Sequence, residues 1–147
     1  MTSVVKVAVE AALAAGKIQT EHAGKIQNIT EKGGLRGDVV TEVDLLCEKA
    51  IIDHIQKFFP DDAILAEESG ETLGTLGKKW IIDPLDGSLN YSHGYPCYCV
   101  SIGVEHDGEL VVGVVYNPNL DELFVAEKGQ GSTLNGKQIN VSTTETL

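Results

Sequence analysis

The chain has no long apolar run, few basic residues and only three cysteines, and each shortage narrows the class of protein. Its apolar stretches fall far short of the roughly 20 residues that a membrane-spanning helix needs. Lys and Arg number 11 against 22 Asp and Glu, and the net charge of −11 leaves no basic footprint for nucleic acid. The same charge opposes docking onto anionic membranes. We therefore expect neither nucleic acid nor a membrane as a partner.

Cysteine usage and the first residues point to a reducing compartment. Cys47, Cys97 and Cys99 are odd in number and sparse, so the disulfide framework of a small secreted domain is not expected. Residues 1–6 lack the charged, apolar and cleavage regions of a secretory signal. We expect a cytoplasmic protein, in which Cys97 and Cys99 are buried as small hydrophobic residues of a strand.

The remaining composition is that of an ordinary globular protein. The chain is 147 residues long, 42% hydrophobic and 22% charged, which is enough for one domain with a real core. Most of its acidic excess is explained by solubility. However, an acidic chain that handles an anionic substrate would need bound cations to do so.

Helical periodicity is confined to the first part of the chain. Apolar residues at helical spacing predict one helix from Val4 to about Glu21. A second helix is predicted from near Thr41 to residues 58–59, with a stripe that includes Leu45 and Ile51 and a stop at the following proline. Residues 33–37 between the two helices predict a mobile loop, preceded by a short strand.

The second half of the chain has the pattern of strands. Short apolar or alternating runs predict strands at residues 63–66, 80–83, 98–104, 110–116 and 123–126. Residues 70–79 are expected to form a loop, and Asn135-Gly136 a tight hairpin turn. Helices followed by an antiparallel meander predict an α+β fold, in which two helices pack on one face of a mostly antiparallel sheet.

Two acidic clusters follow neighbouring predicted strands. Glu67 and Glu68 follow the first, and successive strand side chains point to opposite faces, so one of them faces the site and the other lies outward or behind it. In the second cluster a proline turns the chain between Asp83 and Asp86, which lets both acids converge and aims the Leu85 carbonyl inward. These acids would repel one another unless a cation shared them. Mg²⁺ prefers such oxygen ligands.

The residues after the second cluster suit a phosphate group. Gly87 and Ser88 offer backbone N–H groups and a hydroxyl directly after the acids, so the two clusters together predict a metal-dependent phosphatase site. Taken alone, an Asp-Pro-x-Asp-Gly segment is more typical of a plain turn, and only its position after a strand and beside the first cluster favours the site.

Asp44 has two possible roles. Thr41-x-x-Asp44 resembles a capping box, and an acid in the first turn is favoured by the helix dipole. Capping is therefore the role that the local pattern favours. Alternatively, Asp44 orients a hydroxyl or a water near the metals, with Thr41 supporting it.

Taken together, these segments resemble the inositol monophosphatase family, within the Mg²⁺-dependent, Li⁺-sensitive sugar and nucleotide phosphatases. Residues 38–44 resemble the family's helix-leading segment, and residues 66–69 its Gly-Glu-Glu-Ser element. Residues 80–91 resemble its Trp-x-x-Asp-Pro-x-Asp-Gly-Thr-x-Asn-Phe signature, with Ser and Tyr in place of Thr and Phe. Residues 124–141 resemble its later strands.

The resemblance implies a site with two or three Mg²⁺ ions. Glu67, Asp83 and the Leu85 carbonyl would bind the first ion, Asp83 and Asp86 the second, and Glu67 would share a third through water. The ions would lower the pKa of the attacking water and clamp the phosphate. Li⁺ is a possible inhibitor.

The catalytic roles come from the same resemblance. Asp44 and the Ser88 hydroxyl, together with Glu67, would position the water that attacks phosphorus, and no covalent phosphoenzyme is implied. Asp86 and the Gly87 and Ser88 amides would hold the phosphate, at the start of a short helix. Glu68, like Thr41, would support the ligands from behind.

The resemblance also implies that residues 1–147 form an N-terminal metal-binding domain. Family members continue with a second α/β layer, whose Trp-Asp-x-Ala-x-Gly element completes the second metal site. We expect an inositol or related sugar phosphate as substrate, and a homodimer or a complementary C-terminal chain as partner. A fructose-1,6-bisphosphatase, a 3′-phosphoadenosine phosphatase and a non-catalytic metal-binding or assembly module stay open as alternatives.

Overall fold

Two long helices cover one face of a large sheet. The structure, a computed structural model, describes residues 3–25, 29–31 and 39–146. Its helices are α1 (Ser3–His22), α2 (Glu42–Phe58) and the short α3 (Ser88–Ser92). The first two match the predicted helices. The predicted loop at residues 33–37 lies outside the described part of the chain.

The strands form a small ribbon and an eight-stranded sheet. The ribbon pairs β1 (Ile29–Glu31) with β2 (Val39–Thr41). The large sheet contains β3 (Asp62–Ala66), β4 (Gly70–Thr72), β5 (Leu76–Asp86), β6 (Cys99–His106), β7 (Glu109–Asn117), β8 (Glu122–Glu127), β9 (Gly131–Leu134) and β10 (Lys137–Ile139). Its order is β10-β9-β8-β7-β6-β5-β3-β4, and β3 and β5 are parallel whereas the other neighbours are antiparallel. The predicted α+β fold is confirmed.

The core lies between the helices and the inner face of the sheet. Val100, Ile102 and Val104 alternate along β6 and are buried, as strand geometry requires of a face that packs on helices. Trp80 is fully buried against them and donates its indole N–H to Asp62. Leu45 was expected on the inner stripe of α2, but it is 54% exposed, because that stripe is formed by Val43, Cys47, Ile51 and Ile55.

The predicted loop at residues 70–79 is wrong in part. Residues 70–72 fold back as β4 along β3, and β5 begins at Leu76, where Lys78 pairs with His106 of β6. These segments carry few buried side chains, so backbone pairing rather than apolar patterning makes them strands. The Asn135-Gly136 hairpin is confirmed, with φ of 48° and 76° between the paired Leu134 and Lys137.

The outer face of the sheet carries small and half-buried residues. Gly103 and Gly113 face each other across β6 and β7, and a groove of about 500 Å³ runs along these strands. Val115 and Leu110 at the same strands are 37% and 65% exposed.

Within the described residues, no helix is long and apolar enough to cross a membrane.

Gly16 makes a close approach between α1 and β7 possible. A Cβ atom there would lie 2.4 Å from the Tyr116 ring. We expect Gly16→Ala to lower the free energy of unfolding by about 1–3 kcal/mol, because this overlap outweighs the helix propensity of alanine. Urea denaturation measures the change.

Gly113→Ala is the matched control. An added Cβ there meets nothing within 4 Å, so its effect should stay within about 0.5 kcal/mol. A Gly16→Ala protein as stable as the wild type would show that α1 and β7 are not tightly packed.

Candidate metal and phosphate site

The parallel pairing of β3 and β5 brings the two acidic clusters to one edge of the sheet. Ala66 pairs with Ile82, and the N–H of Glu67 donates to the Ile82 carbonyl at 3.2 Å. Glu67 therefore leaves its strand beside Asp83, the next residue of β5. Parallel neighbours end on the same side, which is the reason for this meeting.

Pro84 creates an irregular end to β5 rather than a free turn. Asp83 pairs with Ser101 and Asp86 with Cys99, so β5 carries one more residue than β6 across this interval. Proline has no N–H to give to the ladder, and such bulges re-aim side chains. Within the bulge, the Leu85 N–H donates to Asp83 Oδ1 at 3.2 Å.

Asp83 sits in an environment that disfavours its negative charge. Burial raises its pKa to about 7, helped by the charge of Glu67, a hydrogen bond with the Glu67 carboxyl, and the charge of Asp86. The Leu85 N–H acts in the opposite direction. A bound cation would relieve the repulsion that the proton relieves here.

The oxygen donors at this site are of the type that a hard cation binds, although they do not form a complete set of ligands. Among the residues that the structure describes, no three His, Cys, Asp or Glu side chains form a metal-binding cluster. Glu67 and Asp83 meet, whereas the exposed Asp86 acts on Asp83 through its charge and has Oδ2 4.0 Å from Cys99 Sγ. Two carboxylates and the nearby Leu85 carbonyl are oxygen donors of the type that Mg²⁺ accepts.

Asp44 makes the capping contacts that its sequence pattern favours, and it also accepts a hydrogen bond from Ser88. The capping box is confirmed: Oδ2 accepts from the Thr41 N–H at 2.8 Å and from the Thr41 hydroxyl at 2.5 Å. Its other oxygen, Oδ1, accepts from the Ser88 hydroxyl at 2.5 Å. Asp44 is fully buried, so it ties the start of α2 to the predicted phosphate loop.

The Ser88 hydroxyl has more acceptors around it than hydrogens. Its Oγ lies 2.5 Å from Asp44 Oδ1 and 2.9 Å from the Leu85 carbonyl oxygen. One hydroxyl carries one hydrogen, so the bond to Asp44 leaves Oγ and the Leu85 oxygen facing each other with lone pairs. A water or a cation beside them would satisfy both oxygens.

Gly87 is required where the chain enters α3. Its φ is 98°, and a Cβ there would lie 2.8 Å from the Cys97 carbonyl oxygen. The segment before β6 therefore packs closely on this loop. Cys97 itself is exposed and Cys99 half-buried, so the expectation of two buried thiols is wrong for Cys97, which precedes the strand. All three thiols are free.

Two buried polar residues of the site are missing from the set predicted from sequence. Glu48 of α2 is 4% exposed and accepts from the Glu68 N–H at 2.7 Å and the Ser69 N–H at 3.0 Å, which fixes the loop after Glu67. Gln19 of α1 is fully buried and reaches the Pro84 carbonyl. Both occupy core positions of their helices, and a polar residue within an apolar stripe was the available signal.

Fold and site together define an α+β layered protein with acids gathered at adjoining strand ends. The sequence model of the inositol monophosphatase family matches residues 1–147. The chain belongs to the inositol monophosphatase family.

Known proteins of this family resemble the chain over almost its whole length. An inositol-1-monophosphatase of Synechocystis is 50% identical over 97% of the chain, and a fructose-1,6-bisphosphatase/inositol-1-monophosphatase of Thermotoga maritima is 41% identical over 90%. The extragenic suppressor protein suhB of Bartonella henselae superposes with a TM-score of 0.92 at 39% identity, over 97% of this chain and 55% of that one. A solved IMPase/NADP phosphatase, 24% identical, shares the fold and is complexed with Mg²⁺ and phosphate.

The chain spans about half the length of the curated relatives it matches. It covers 50% of both the Synechocystis and the Thermotoga proteins. The activities and substrates in the names of those whole proteins are therefore not attributed to this chain.

The raised pKa of Asp83 predicts a pH-dependent stability. Between pH 3.8, the ordinary pKa of an Asp carboxyl, and about 7, its pKa here, the folded metal-free chain holds a proton that the unfolded chain releases. Stability should therefore fall as pH rises through this window. In EDTA, we expect a lower thermal midpoint near about pH 8 than near about pH 5, and Mg²⁺ should restore it.

Asp83→Asn should flatten this pH profile, because an amide does not titrate. Asp53→Asn is the matched control, since Asp53 is exposed on α2 and pairs with Lys49, and it should keep the wild-type profile. A wild-type midpoint that does not decline with pH would contradict the assignment of a shared proton at this site.

Glu48 predicts a second stability effect. Glu48→Ala leaves the Glu68 and Ser69 amides without their acceptor and should cost about 1–3 kcal/mol. Urea denaturation measures the loss, and hydrogen exchange at these two amides should accelerate. Lys49→Ala, an exposed change one position along, should stay within about 0.5 kcal/mol. Equal hydrogen-exchange rates at the Glu68 and Ser69 amides in the two variants would show that Glu48 does not protect them.

Proposed function

We propose that this chain supplies the metal-binding part of a Mg²⁺-dependent phosphomonoester hydrolase. The observation that carries the proposal is the contact of Glu67 with Asp83, whose charge the metal-free site disfavours, next to the Ser88–Asp44 hydrogen bond. Family membership supports the phosphatase class. The substrate that we propose is an inositol monophosphate or a related sugar phosphate.

The residues of the site divide into metal ligands and groups that handle water and phosphate. Glu67, Asp83 and the Leu85 carbonyl would hold one Mg²⁺, and Asp83 with Asp86 a second. A third ion would share Glu67, and Li⁺ would compete as an inhibitor. When bound, such ions lower the pKa of water and neutralise the leaving oxygen.

The protein's own part in the reaction is to orient the water and the phosphate. Asp44, fixed by Thr41, accepts the Ser88 hydrogen, so the Ser88 lone pairs point away from Asp44 and can accept from the attacking water. The Gly87 and Ser88 amides at the start of α3 would hold phosphate oxygens. Glu68 would keep the Glu67 loop in place through the hydrogen bond that its backbone N–H donates to the Glu48 carboxylate. Water would displace the alcohol directly.

Substrate identity and domain completion belong to the proposal as well. The Thermotoga relative is named for both fructose-1,6-bisphosphatase and inositol-1-monophosphatase, so we keep fructose bisphosphate and 3′-phosphoadenosine phosphates as alternative substrates. We propose that residues 1–147 correspond to the N-terminal metal-binding domain. A C-terminal α/β layer from a complementary chain would then complete the pocket, and a homodimer of this chain is the alternative assembly. A cytoplasmic location stays a prediction.

One observation favours a second candidate function. The outer face of the sheet carries a groove of about 500 Å³ with exposed Leu110 and Val115 beside it. A metal-binding module that assembles with another protein without catalysing would also expose such a face.

Phosphate release tests the proposal directly. The purified chain is assayed with inositol 1-phosphate across a Mg²⁺ titration, alone and with a C-terminal fragment of a family member added in trans. We expect Mg²⁺-dependent turnover with the fragment present, and its loss in Asp86→Asn, because that change removes a ligand charge.

Asp53→Asn serves as the control, since it makes the same chemical change at an exposed position. Turnover in Asp86→Asn close to that of the wild type would contradict the proposed phosphatase site. Absence of turnover with and without the fragment, despite Mg²⁺ binding, would favour the non-catalytic module.

A further inference from the structure

Gln19 of α1 reaches the irregular end of β5 from inside the core. Its side chain is fully buried, and Nε2 donates to the Pro84 carbonyl at 3.0 Å and to the Cys99 carbonyl at 3.4 Å. Carbonyl oxygens only accept, so this pair of partners fixes which end of the amide is the nitrogen. The backbone carbonyl of Gln19 accepts from the Tyr91 hydroxyl at 2.6 Å.

These bonds join β5 and β6 where the bulge shifts their register. Opposite the extra residue of β5, the ladder between β5 and β6 shifts register, and backbone carbonyls there need other donors. Gln19 supplies them with one NH₂ group that contacts a carbonyl of each strand. A single side chain thus bridges both strands at the point where the acidic turn begins.

The bond to Pro84 has a direct consequence for Asp83. The Pro84 carbonyl and the Leu85 N–H belong to one planar peptide unit. Gln19 donates to the Pro84 oxygen of that unit at 3.0 Å, and the Leu85 N–H of the same unit donates to Asp83 Oδ1 at 3.2 Å. The orientation of this plane therefore helps to set where the Asp83 carboxylate points. The Leu85 carbonyl belongs to the next peptide unit and lies 2.9 Å from Ser88 Oγ.

We propose that Gln19 is a positioning residue for the cation site: it holds the Pro84–Leu85 peptide plane, and the N–H of that plane orients the Asp83 carboxylate for the ion. The inference rests on the proposed function. Gln19 touches neither the ion nor the substrate, and it acts through the peptide unit. Its contact with Tyr91 extends the same support to α3, at the predicted phosphate loop.

Metal affinity is the readout that separates positioning from packing. Gln19→Met keeps the length and volume of the side chain and removes the donor. Mg²⁺ binding to the 147-residue chain is measured by calorimetry, with Tb³⁺ luminescence as a second probe. We expect the dissociation constant of Gln19→Met to rise about 10–100-fold, as for other residues that orient metal ligands.

Ile55→Val is the control, because it loosens the same helical layer at a fully buried position of α2 without touching the turn. It should change the dissociation constant by less than about twofold. Equal affinities of Gln19→Met and wild type, or equal losses in Gln19→Met and Ile55→Val, would overturn the positioning role. Wild-type binding that Asp83→Asn does not weaken would instead contradict the proposed function.

A measurement on the wild type keeps the inference testable if Gln19→Met does not fold. The Gln19 side-chain NH₂ resonances of ¹⁵N-labelled protein are followed during the Mg²⁺ titration. They should shift together with the Leu85 amide, since both groups hold the same peptide plane. An unmoved Gln19 side chain beside a shifting Leu85 amide would refute the coupling.

Discussion

The parallel pairing of β3 and β5 is the constraint on which the site depends. It places the ends of two strands side by side, so that Glu67 and Asp83 meet although the chain between them makes a further strand. Two carboxylates held together repel each other, and burial strengthens the effect at Asp83. The sheet thus imposes a local cost that a proton or a cation offsets, and this competition couples the stability of the fold to occupancy of the site.

The helical layer supports the site through polar residues on its buried face. Asp44 and Glu48 of α2 and Gln19 of α1 are each 4% exposed or less, and each accepts from or donates to the loops at the strand ends. Buried polar groups of this kind are costly unless they are hydrogen-bonded. Their bonds run from a rigid helix to an irregular backbone, which keeps the acids in place without relying on the loops themselves.

Local patterns in the sequence predicted the helices, the hairpin and the Thr41–Asp44 capping box, because each depends on residues close together in the chain. The two acidic clusters were found for the same reason. The bulge at Pro84, the strand at residues 76–79 and the bond from Ser88 to Asp44 depend on backbone pairing between distant segments. The contacts of Gln19 and Glu48 were not predicted for a further reason. Their partners are backbone groups, which every residue carries, so the sequence does not show which of them a side chain will contact.

Under the proposed function, metal binding and catalysis would be separable properties of this chain. Asp83 is held from within the described part of the chain: the Leu85 N–H donates to it, Glu67 shares a hydrogen bond with it, and Gln19 holds the adjoining Pro84 carbonyl. Asp86, in contrast, is exposed, and its Oδ2 lies 4.0 Å from Cys99 Sγ. A first ion at Glu67, Asp83 and Leu85 would therefore depend on contacts inside this fold, whereas a second ion at Asp86 and the binding of a substrate would depend on what covers Asp86. For this reason the affinity for one cation reports on the chain itself, and turnover reports on its assembly.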